Sequence, residues 1–555
     1  MTSSSLFIIQ SNKIRLLLSP SLLYVLASRS VGTLALGLSK PSPVIQNCPS
    51  LSGYSTKEKL RTRLFSTSMK RSENERAMTK DALSIVDQAI QAVDPYTAIK
   101  RHISMDESGR TILVKGSTPK EYDLSSFDGI TLVAFGKASS AMAAAVLQQF
   151  ESIPANGLTD IRIQGVVIVK GGHCTQDERK SLESHSIQLL EAGHPVPDCG
   201  SAAAAQKVME LVAATANPRT LVICCISGGG SALFCLPQDP LSMDDLKKTN
   251  QVLLGSGMSI QDMNVIRKRL ESGKGGRLAA AAYPSTVISL ILSDVLGDPL
   301  DLIASGPTVP DTSTFGDAYQ LVQKNNLEYK LPAKVVQLLK DGMAGSVPDA
   351  PSKDHPIFSE GKSETVIVGN NELAVQAAAQ AAHVRGYSTR VIGCRVDGEA
   401  KEVANMYAAM AQHLALQRNQ SNRNTIDDPY ALAKLPLALI AGGETTVSIP
   451  AGSKGKGGRN QELALAAALK FQQLGLRDVV LASVGTDGTD GPTDAAGGIV
   501  DGGTIARLEN DAEEALKLHD SYNYLKQKDQ DGHSPLVKTG ATGTNVADIC
   551  VLLLK

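Results

Sequence analysis

The chain has 555 residues, more than one hydrophobic core usually organises, so we expect at least two domains. Apolar residues make up 42% and charged residues 20%, as in ordinary folded proteins. The formal net charge is −1 and no basic run is interleaved with aromatic residues, which argues against a nucleic-acid-binding role. The cysteines form no CxxC pair, which predicts a reducing compartment without structural zinc.

The first 57 residues contain no acidic residue and are rich in serine, leucine and scattered basic residues. This composition is typical of a mitochondrial transit peptide, which we expect over residues 1–65, with cleavage after Phe65 and delivery to the matrix. A secretory signal is a weaker alternative, and translation from Met69 or Met78 would give a cytoplasmic protein. No apolar run reaches the ~20 residues that span a membrane, so we expect no membrane partner.

From residue 79, where Thr79 is expected to cap a helix, short apolar segments alternate with glycine loops and alanine-rich helices. The predicted strands are 130–135, 166–169, 220–226, 287–292 and 365–368. Strands that are apolar throughout and alternate with helices indicate a parallel sheet that is covered on both faces. The sequence therefore predicts an α/β domain over residues 79–417.

A polar stretch at residues 418–434 is predicted to be a surface loop or linker. Beyond it, residues 435–555 form a second α/β pattern, with strands at 437–440, 479–482 and 549–554. We expect the domain boundary to fall within residues 418–436.

Glycine loops follow several of the predicted strands, which is where parallel α/β sheets bind ligands. Lys137 stands at the start of a helix, an unfavourable place for a cation unless an anion binds there; a solvated lysine is the alternative. A second loop offers a concave set of backbone N–H groups, although a tight turn is the alternative. It consists of Ser227, Gly228, Gly229, Gly230 and Ser231. The pentapeptide Gly-Lys-Gly-Gly-Arg occurs at 273–277 and 455–459, each time just before a helix, which places Lys274, Arg277 and Arg459 at helix N-termini that favour anions.

Carboxylates cluster after two predicted strands. Asp294 follows the strand at 287–292 and could bind a metal or accept a hydroxyl proton, with helix capping as an equal alternative. The stretch 483–498, SVGTDGTDGPTDAAGG, offers Asp487, Asp490 and Asp494 as hard oxygen ligands for Mg²⁺, with an ordinary turn series as the alternative.

Polar side chains elsewhere in the loops give weaker indications. Asn460 could contact a ligand hydroxyl or simply belong to a helix cap. His173 and His194 lie in glycine and proline loops, where a lone histidine is more often structural than catalytic.

Several common nucleotide-binding and catalytic motifs are missing. No G-x-G-x-x-G follows a predicted strand, which argues against a nicotinamide-binding unit, and no G-x-x-x-x-G-K-[ST] occurs, which excludes an ordinary P-loop. No G-x-S-x-G is present either, so Ser227 and Ser231 do not form a hydrolase elbow.

Taken together, the short motifs over residues 79–555 resemble the class II glycerate kinases, and most closely their animal branch. The motifs are GKAS at 136–139, AGHPVPD at 192–198, SGGGSA at 227–232, KGGRLA at 274–279, LSD at 292–294, ASGPT at 304–308, GRNQEL at 458–463, GTDGTDGPTD at 485–494 and TGTN at 542–545.

This resemblance implies a Rossmann-like N-terminal domain, a smaller C-terminal domain of the MOFRL type, and an active site in the cleft between them. It also implies transfer of phosphate from ATP to D-glycerate with Mg²⁺ as cofactor, in serine, fructose and glycerate catabolism. The 2-phosphate product is favoured over the 3-phosphate. Two rival functions stay open, a hydroxypyruvate reductase and a non-catalytic sensor of nucleotides or sugar phosphates, as does the choice between monomer and homodimer.

By the same resemblance, Lys137 and Arg459 are the charged pair that binds the substrate or the transferring phosphate, and Asp294 completes the catalytic set. The substrate and phosphate ligands expected are the 227–231 loop, Lys274, Arg277, Asn460 and Glu444. The metal ligands expected are Asp487, Asp490 and Asp494.

Overall fold

The computed structural model describes residues 71–151, 161–420, 435–508, 511–529 and 532–555. The predicted transit segment and residues 421–434 of the predicted linker lie outside the described residues. Within the described ranges, no helix is both long enough and apolar enough to cross a membrane.

The described strands are numbered in chain order: β1 (Ile103–Met105), β2 (Thr111–Val114), β3 (Lys120–Asp123), β4 (Gly129–Phe135), β5 (Arg162–Lys170), β6 (Ile187–Ala192), β7 (Thr220–Ser227), β8 (Thr286–Leu292), β9 (Ser363–Gly369), β10 (Ser388–Val396), β11 (Leu437–Gly443), β12 (Val479–Gly485), β13 (Gly497–Asp501), β14 (Leu536–Val537) and β15 (Asp548–Leu554).

The described α-helices are α1 (Glu73–Ala92), α2 (Pro95–His102), α3 (Ser139–Glu151), α4 (Gln176–Ser184), α5 (Cys199–Thr215), α6 (Gly230–Leu233), α7 (Met243–Leu254), α8 (Ile260–Leu270), α9 (Arg277–Ala282), α10 (Phe315–Lys324), α11 (Ala333–Met343), α12 (Pro356–Ser359), α13 (Asn371–Val384), α14 (Ala400–Gln420), α15 (Arg459–Gln473), α16 (Thr504–Arg507), α17 (Ala512–Lys517) and α18 (Ser521–Leu525).

The first large sheet is parallel and has the strand order β6-β5-β4-β7-β8-β9. Numbered from its first strand, this order is 3-2-1-4-5-6, the order of dinucleotide-binding Rossmann folds, which confirms the expected Rossmann-like domain. Strand β7 is buried along its whole length, as its continuous apolar sequence predicts. The chain leaves β4 and β7 in opposite directions, so the loops after these strands flank a crevice at the switch point.

The second large sheet is mixed, with the order β10-β11-β15-β12-β13-β14. Only β10 and β11 are parallel, and the remaining neighbours are antiparallel. This sheet forms the second lobe of the molecule, as the expected smaller α/β domain requires. The described residues of the two lobes belong to one compact unit.

The second lobe begins earlier in the chain than the predicted boundary at 418–434. Strand β10 pairs with β11, so residues 388–396 belong to the second sheet rather than the first. The described part of the predicted linker, residues 418–420, ends helix α14. The strand was missed because β10 is largely exposed and lacks a continuous apolar run.

Helix α1 begins at Glu73, before the predicted start near Thr79. Ser72 accepts a hydrogen bond from the Glu75 backbone N–H while the Glu75 side chain accepts one from Ser72, and this capping box defines the helix start. The apolar face of α1, including Ile85, shares a core cluster with Val480 of β12. The first helix of the described residues therefore covers the second sheet.

Candidate active site

The loop after β4 carries Lys137 into the crevice at the switch point. Gly136 adopts a φ of 134°, and a Cβ there would lie 2.1 Å from Ser227 Oγ, so only glycine lets β4 and β7 end so close together. The Lys137 N–H donates to the Gly228 carbonyl at 2.9 Å, and the Ala138 N–H donates to Ser227 Oγ at 3.0 Å. The predicted residues of these two loops therefore lie side by side.

Asp294, at the end of β8, lies directly behind the second loop. A Cβ on Gly228 would fall 2.1 Å from Asp294 Oδ2, so glycine is needed for this close approach. Asn545 of the second lobe donates to the same carboxylate oxygen at 3.1 Å. Burial raises the pKa of Asp294 to about 6, with Lys137 opposing that rise and Glu444 adding to it. Lys137 of the first lobe and Glu444 and Asn545 of the second lobe therefore all lie near this carboxylate.

Arg459, the first residue of α15, is held by two carboxylates of the second lobe. Its Nε and Nη2 donate to Asp548 at 2.6 and 2.9 Å, and its Nη1 lies 3.0 Å from Glu444 Oε1. Burial works against its charge, but Asp548 and Glu444 outweigh burial and raise its pKa above the ordinary value. The side chain remains one-third exposed, so it can still meet a ligand in the cleft.

One ion pair crosses the cleft between the lobes. Lys137 Nζ lies 3.6 Å from Asp487 Oδ2, and each side chain is about one-quarter exposed. The other oxygen of Asp487 accepts hydrogen bonds from the N–H and hydroxyl of Thr489. A separation of 3.6 Å is too long for a direct hydrogen bond, so the two groups form an ion pair across the cleft without one.

The structure corrects the prediction that Asp490 binds a metal. Its buried carboxylate accepts the backbone N–H groups of Asn460 and Gln461, at 3.1 and 2.9 Å, and also the Gln461 side-chain amide. Asp490 therefore caps the N-terminus of α15, where a negative charge is favourable. Burial raises the pKa of Asp490 to about 6.

Asp494 is also placed away from any metal site. It is exposed, and it accepts hydrogen bonds from Tyr522 at 2.6 Å and Lys538 at 2.7 Å, which lower its pKa to about 2. Among the residues that the structure describes, no three acidic, cysteine or histidine side chains converge as a metal site. Of the three predicted ligands, only Asp487 faces the cleft.

Three of the predicted ligand-binding residues serve the scaffold. Lys274 is buried and donates to the Ser231 carbonyl at 2.8 Å and to Glu271 at 2.6 Å, so it supports the loop from behind. Arg277 donates to the Lys268 carbonyl at 2.8 Å, and burial lowers its pKa to about 10.

Asn460, the third of these residues, is buried. It accepts a hydrogen bond from Ser483 Oγ at 2.6 Å and therefore contacts other parts of the protein rather than the cleft.

The sequence interpretation did not single out Asp548, Asn545 or His194 as site residues. Asp548 is an acid at the first position of an otherwise apolar strand, a pattern that could have drawn attention to it. Asn545 belongs to one of the motifs behind the family resemblance, but no role was given to it. His194 was assigned to a loop, and only the fold brings it against Gly229.

Two family models match the chain. A domain of unknown function, DUF4147, matches residues 81–340, and the MOFRL family matches residues 437–548. The chain is 37% identical to a protein of Thermotoga maritima named D-glycerate 2-kinase, over 86% of this chain and 99% of that protein. It is 36% identical to the glycerate kinase of Mus musculus, over 86% and 93% of the two chains.

A crystal structure of glycerate kinase from Thermotoga maritima superposes on this fold with a TM-score of 0.69 and 36% identity, covering 86% of this chain and all of that one. A protein of Agrobacterium vitis that is named a putative hydroxypyruvate reductase is also 36% identical, over 76% of this chain and 98% of its own length. The fold defines a two-lobed α/β protein whose first lobe is a Rossmann-like parallel sheet. The chain belongs to the glycerate kinase family that combines the DUF4147 and MOFRL domains.

Proposed function

We propose that the protein is an ATP-dependent kinase that transfers the γ-phosphate to the 2-hydroxyl of D-glycerate, in glycerate, serine and fructose catabolism. The observation that carries this proposal is the meeting of Lys137 and Asp487 across the cleft at the switch point. Phosphoryl transfer depends on positioning and on neutralising charge, which opposed cations and carboxylates supply. The similarity to the Thermotoga D-glycerate 2-kinase supports both the substrate and the favoured position.

The proposed step begins with Asp294. Its carboxylate accepts the proton of the attacking hydroxyl while that oxygen forms a bond to the γ-phosphorus, and the bond from the γ-phosphorus to the bridging oxygen of ADP breaks. A base with a pKa near 6 suits proton transfer close to neutral pH. The hydrogen bond from Asn545 orients the carboxylate. Lys137 and Arg459 stabilise the charge on the transferring group, one from each lobe.

ATP implies a divalent cation, and the residues in the cleft fit Mg²⁺. This ion is usually held by one or two carboxylates together with phosphate oxygens and water. Asp487 faces the cleft and is one-quarter exposed, and Glu444 is nearly half exposed, so both can reach it. When bound, Mg²⁺ would neutralise phosphate charge. We propose Asp487 as its main ligand, with Glu444 beside it.

The proposal is tested by measuring ADP release from ATP and Mg²⁺ with D-glycerate, against L-glycerate and glycerol as comparison substrates. Of the three acceptor substrates, we expect only D-glycerate to give fast ADP release. Phosphorus NMR of the product distinguishes the 2-phosphate from the 3-phosphate. Failure of D-glycerate to stimulate ADP release would overturn the proposed activity.

A hydroxypyruvate reductase is the second candidate, favoured only by the name of the Agrobacterium vitis relative. The loop after β4 reads FGKASSA rather than G-x-G-x-x-G, so the pyrophosphate-binding turn of a nicotinamide site is missing at the switch point. Oxidation of NADPH by hydroxypyruvate without ATP would support the reductase. A non-catalytic sensor would bind ATP or a sugar phosphate without turnover.

We also propose that residues 1–65 direct the protein to the mitochondrial matrix, on the strength of their composition. A fusion of residues 1–70 to a fluorescent protein should be imported into mitochondria and shortened near Phe65. A cytoplasmic distribution of that fusion would favour translation from Met69 instead.

A further inference from the structure

Three neighbouring strand ends of the first sheet carry basic side chains into the same region as Lys137. Phe135 pairs with Ile168, and Lys170 pairs with Ala192, so the ends of β4, β5 and β6 lie side by side. Lys137 follows β4, Lys170 ends β5, and His194 comes two residues after β6. The proposed mechanism uses only the first of these three.

His194 lies closest to the reacting groups. A Cβ on Gly229 would fall 2.8 Å from His194 Nε2 and 3.4 Å from Lys137 Cγ, so the imidazole and the lysine share the space above this glycine. Gly228, the preceding residue, touches Asp294. Because Gly228 and Gly229 are consecutive, His194 and the proposed base contact neighbouring residues of the same loop.

The charge around His194 suits an anion. Neither ring nitrogen of His194 nor the ammonium of Lys170 makes a hydrogen bond or ion pair with another described residue. Burial, together with the positive charge of Lys137 and Lys170 and the nearby His173, lowers the pKa of His194 to about 4, so the imidazole is neutral at physiological pH. A neutral imidazole donates one N–H, and the lysines supply positive charge.

We propose that His194 and Lys170 bind the carboxylate of the acceptor substrate and thereby select an acid over a polyol. The assignment rests on the proposed function and deepens it, because in a three-carbon hydroxy acid the carboxyl carbon and the carbon bearing the reacting hydroxyl are only one or two bonds apart. The hydroxyl meets Asp294 behind Gly228, and the carboxylate then reaches His194 above Gly229. A nucleotide phosphate is the other anion that could occupy this position.

A substrate lacking the carboxylate would leave the His194 donor and the Lys170 charge without a partner. Sites that contain buried polar groups for one substrate strongly reject analogues that cannot satisfy them. This arrangement gives His194 a role in specificity that Lys137, which meets the transferring phosphate, does not have.

The test compares His194→Ala, His194→Gln and Lys170→Met with His383→Ala, which removes an exposed histidine on α13. Loss of a hydrogen bond to a charged group predicts that His194→Ala raises KM for D-glycerate about 10- to 100-fold. KM for ATP should stay within about two-fold, because the proposal assigns this position to the acceptor carboxylate and not to a nucleotide phosphate. His194→Gln, which keeps a donor, should recover part of the loss, and His383→Ala should behave as wild type.

Calorimetric titration of D-glycerate into the same proteins separates this assignment from the proposed activity. Weaker binding by His194→Ala and Lys170→Met supports the assignment even if wild type releases no ADP, an outcome that would overturn only the kinase. Unchanged D-glycerate affinity overturns the carboxylate site whatever the activity. If KM for ATP rises instead, the position binds a nucleotide phosphate, and the assignment to the substrate carboxylate is overturned as well.

Discussion

Lys137 Nζ faces Asp487 Oδ2 at 3.6 Å, and this pair joins a loop of the first lobe to a loop of the second. Partly exposed ion pairs of this kind contribute little to stability, usually about 0–1 kcal/mol. The pair also leaves Lys137 without a direct hydrogen bond to the carboxylate. The pair therefore does little to hold the lobes together, and both charged groups remain accessible from the cleft.

We expect Lys137→Ala to lower kcat/KM at least about 100-fold, since it removes a cation from the transferring phosphate. The free energy of unfolding should change by less than about 1 kcal/mol, because the side chain is partly exposed. Steady-state kinetics and thermal unfolding measure the two effects, with Lys80→Ala on the exposed face of α1 as control. Full activity in Lys137→Ala would refute this placement of the site.

Arg459→Lys should also lower turnover severely, although it keeps the charge. The guanidinium makes two parallel hydrogen bonds to Asp548, and a lysine cannot reproduce that geometry. We choose lysine because alanine would leave Asp548 buried without a cation. Turnover equal to wild type, measured as ADP release, would show that the paired hydrogen bonds from Arg459 to Asp548 are not needed for catalysis.

Substitutions of the three aspartates in the 485–494 stretch should have different effects on Mg²⁺ dependence and on stability. Asp487→Asn should raise the Mg²⁺ concentration needed for half-maximal activity. Asp490→Ala should destabilise the protein by about 2–4 kcal/mol, because it leaves two buried backbone N–H groups unpaired, without changing the Mg²⁺ dependence. Asp494→Ala should have no measurable effect on either. A changed Mg²⁺ dependence in Asp490→Ala would restore it as a metal ligand.

Asp294 should make stability and activity respond oppositely to pH. Its pKa is about 6 in the folded protein and near 3.8 ordinarily, so the folded state binds the proton more tightly. Stability from this group is therefore present at about pH 4 and is lost as pH rises to 6, by about 1–3 kcal/mol. Activity should rise over the upper part of the same range as the base ionises.

Asp294→Asn should remove both trends. The variant should gain more thermal stability over wild type at pH 7.5 than at pH 4, and it should lose turnover. The nearby Asp298→Asn is the control, expected to follow wild type in both measurements. An equal effect of Asp294→Asn at both pH values would contradict the raised pKa.

Arg71 should be essential for stability. It lies 3.1 Å from the fully buried Asp501, and Arg507 contacts the same carboxylate from the other side. Breaking a buried pair by removing one partner typically costs about 3–5 kcal/mol. We expect this loss from Arg71→Ala but not from Arg110→Ala, which alters an exposed arginine.

Because of this ion-pair network, the stability of the protein should depend on which methionine starts translation. A chain that begins at Met69 keeps Arg71, whereas one that begins at Met78 lacks Arg71, Ser72 and Glu75. Denaturant unfolding should therefore place the shorter protein below the longer one by several kcal/mol. Equal stability would show that the N-terminal network is dispensable.

Local sequence rules accounted for five of the six strands of the first sheet, all except β6, and for the loops that follow β4 and β7. Strands β4 and β7 are buried almost throughout, so their apolar runs were unmistakable, and the parallel arrangement then fixed where their loops would meet. Lys137 could be selected because a cation at a helix start is unfavourable on its own. These inferences need only a few consecutive residues.

The roles of the aspartates could not be separated in that way. Asp487 and Asp490 occur in the same Thr-Asp-Gly repeat, yet one faces the cleft and the other caps α15, about 30 residues earlier in the chain. Asp548 and His194 depend on contacts between distant segments. Such roles are set by tertiary packing, which a local pattern does not encode.

Helix α1 covers a sheet whose strand β12 begins only at Val479, roughly 390 residues after the helix ends. At typical synthesis rates of about 5–20 residues per second, the apolar face of α1 waits about 20–80 s for that strand to leave the ribosome. During that interval the first sheet can assemble, but the helix cannot complete its packing. The last packing step of the described fold therefore joins its N-terminal helix to strands near its C-terminus.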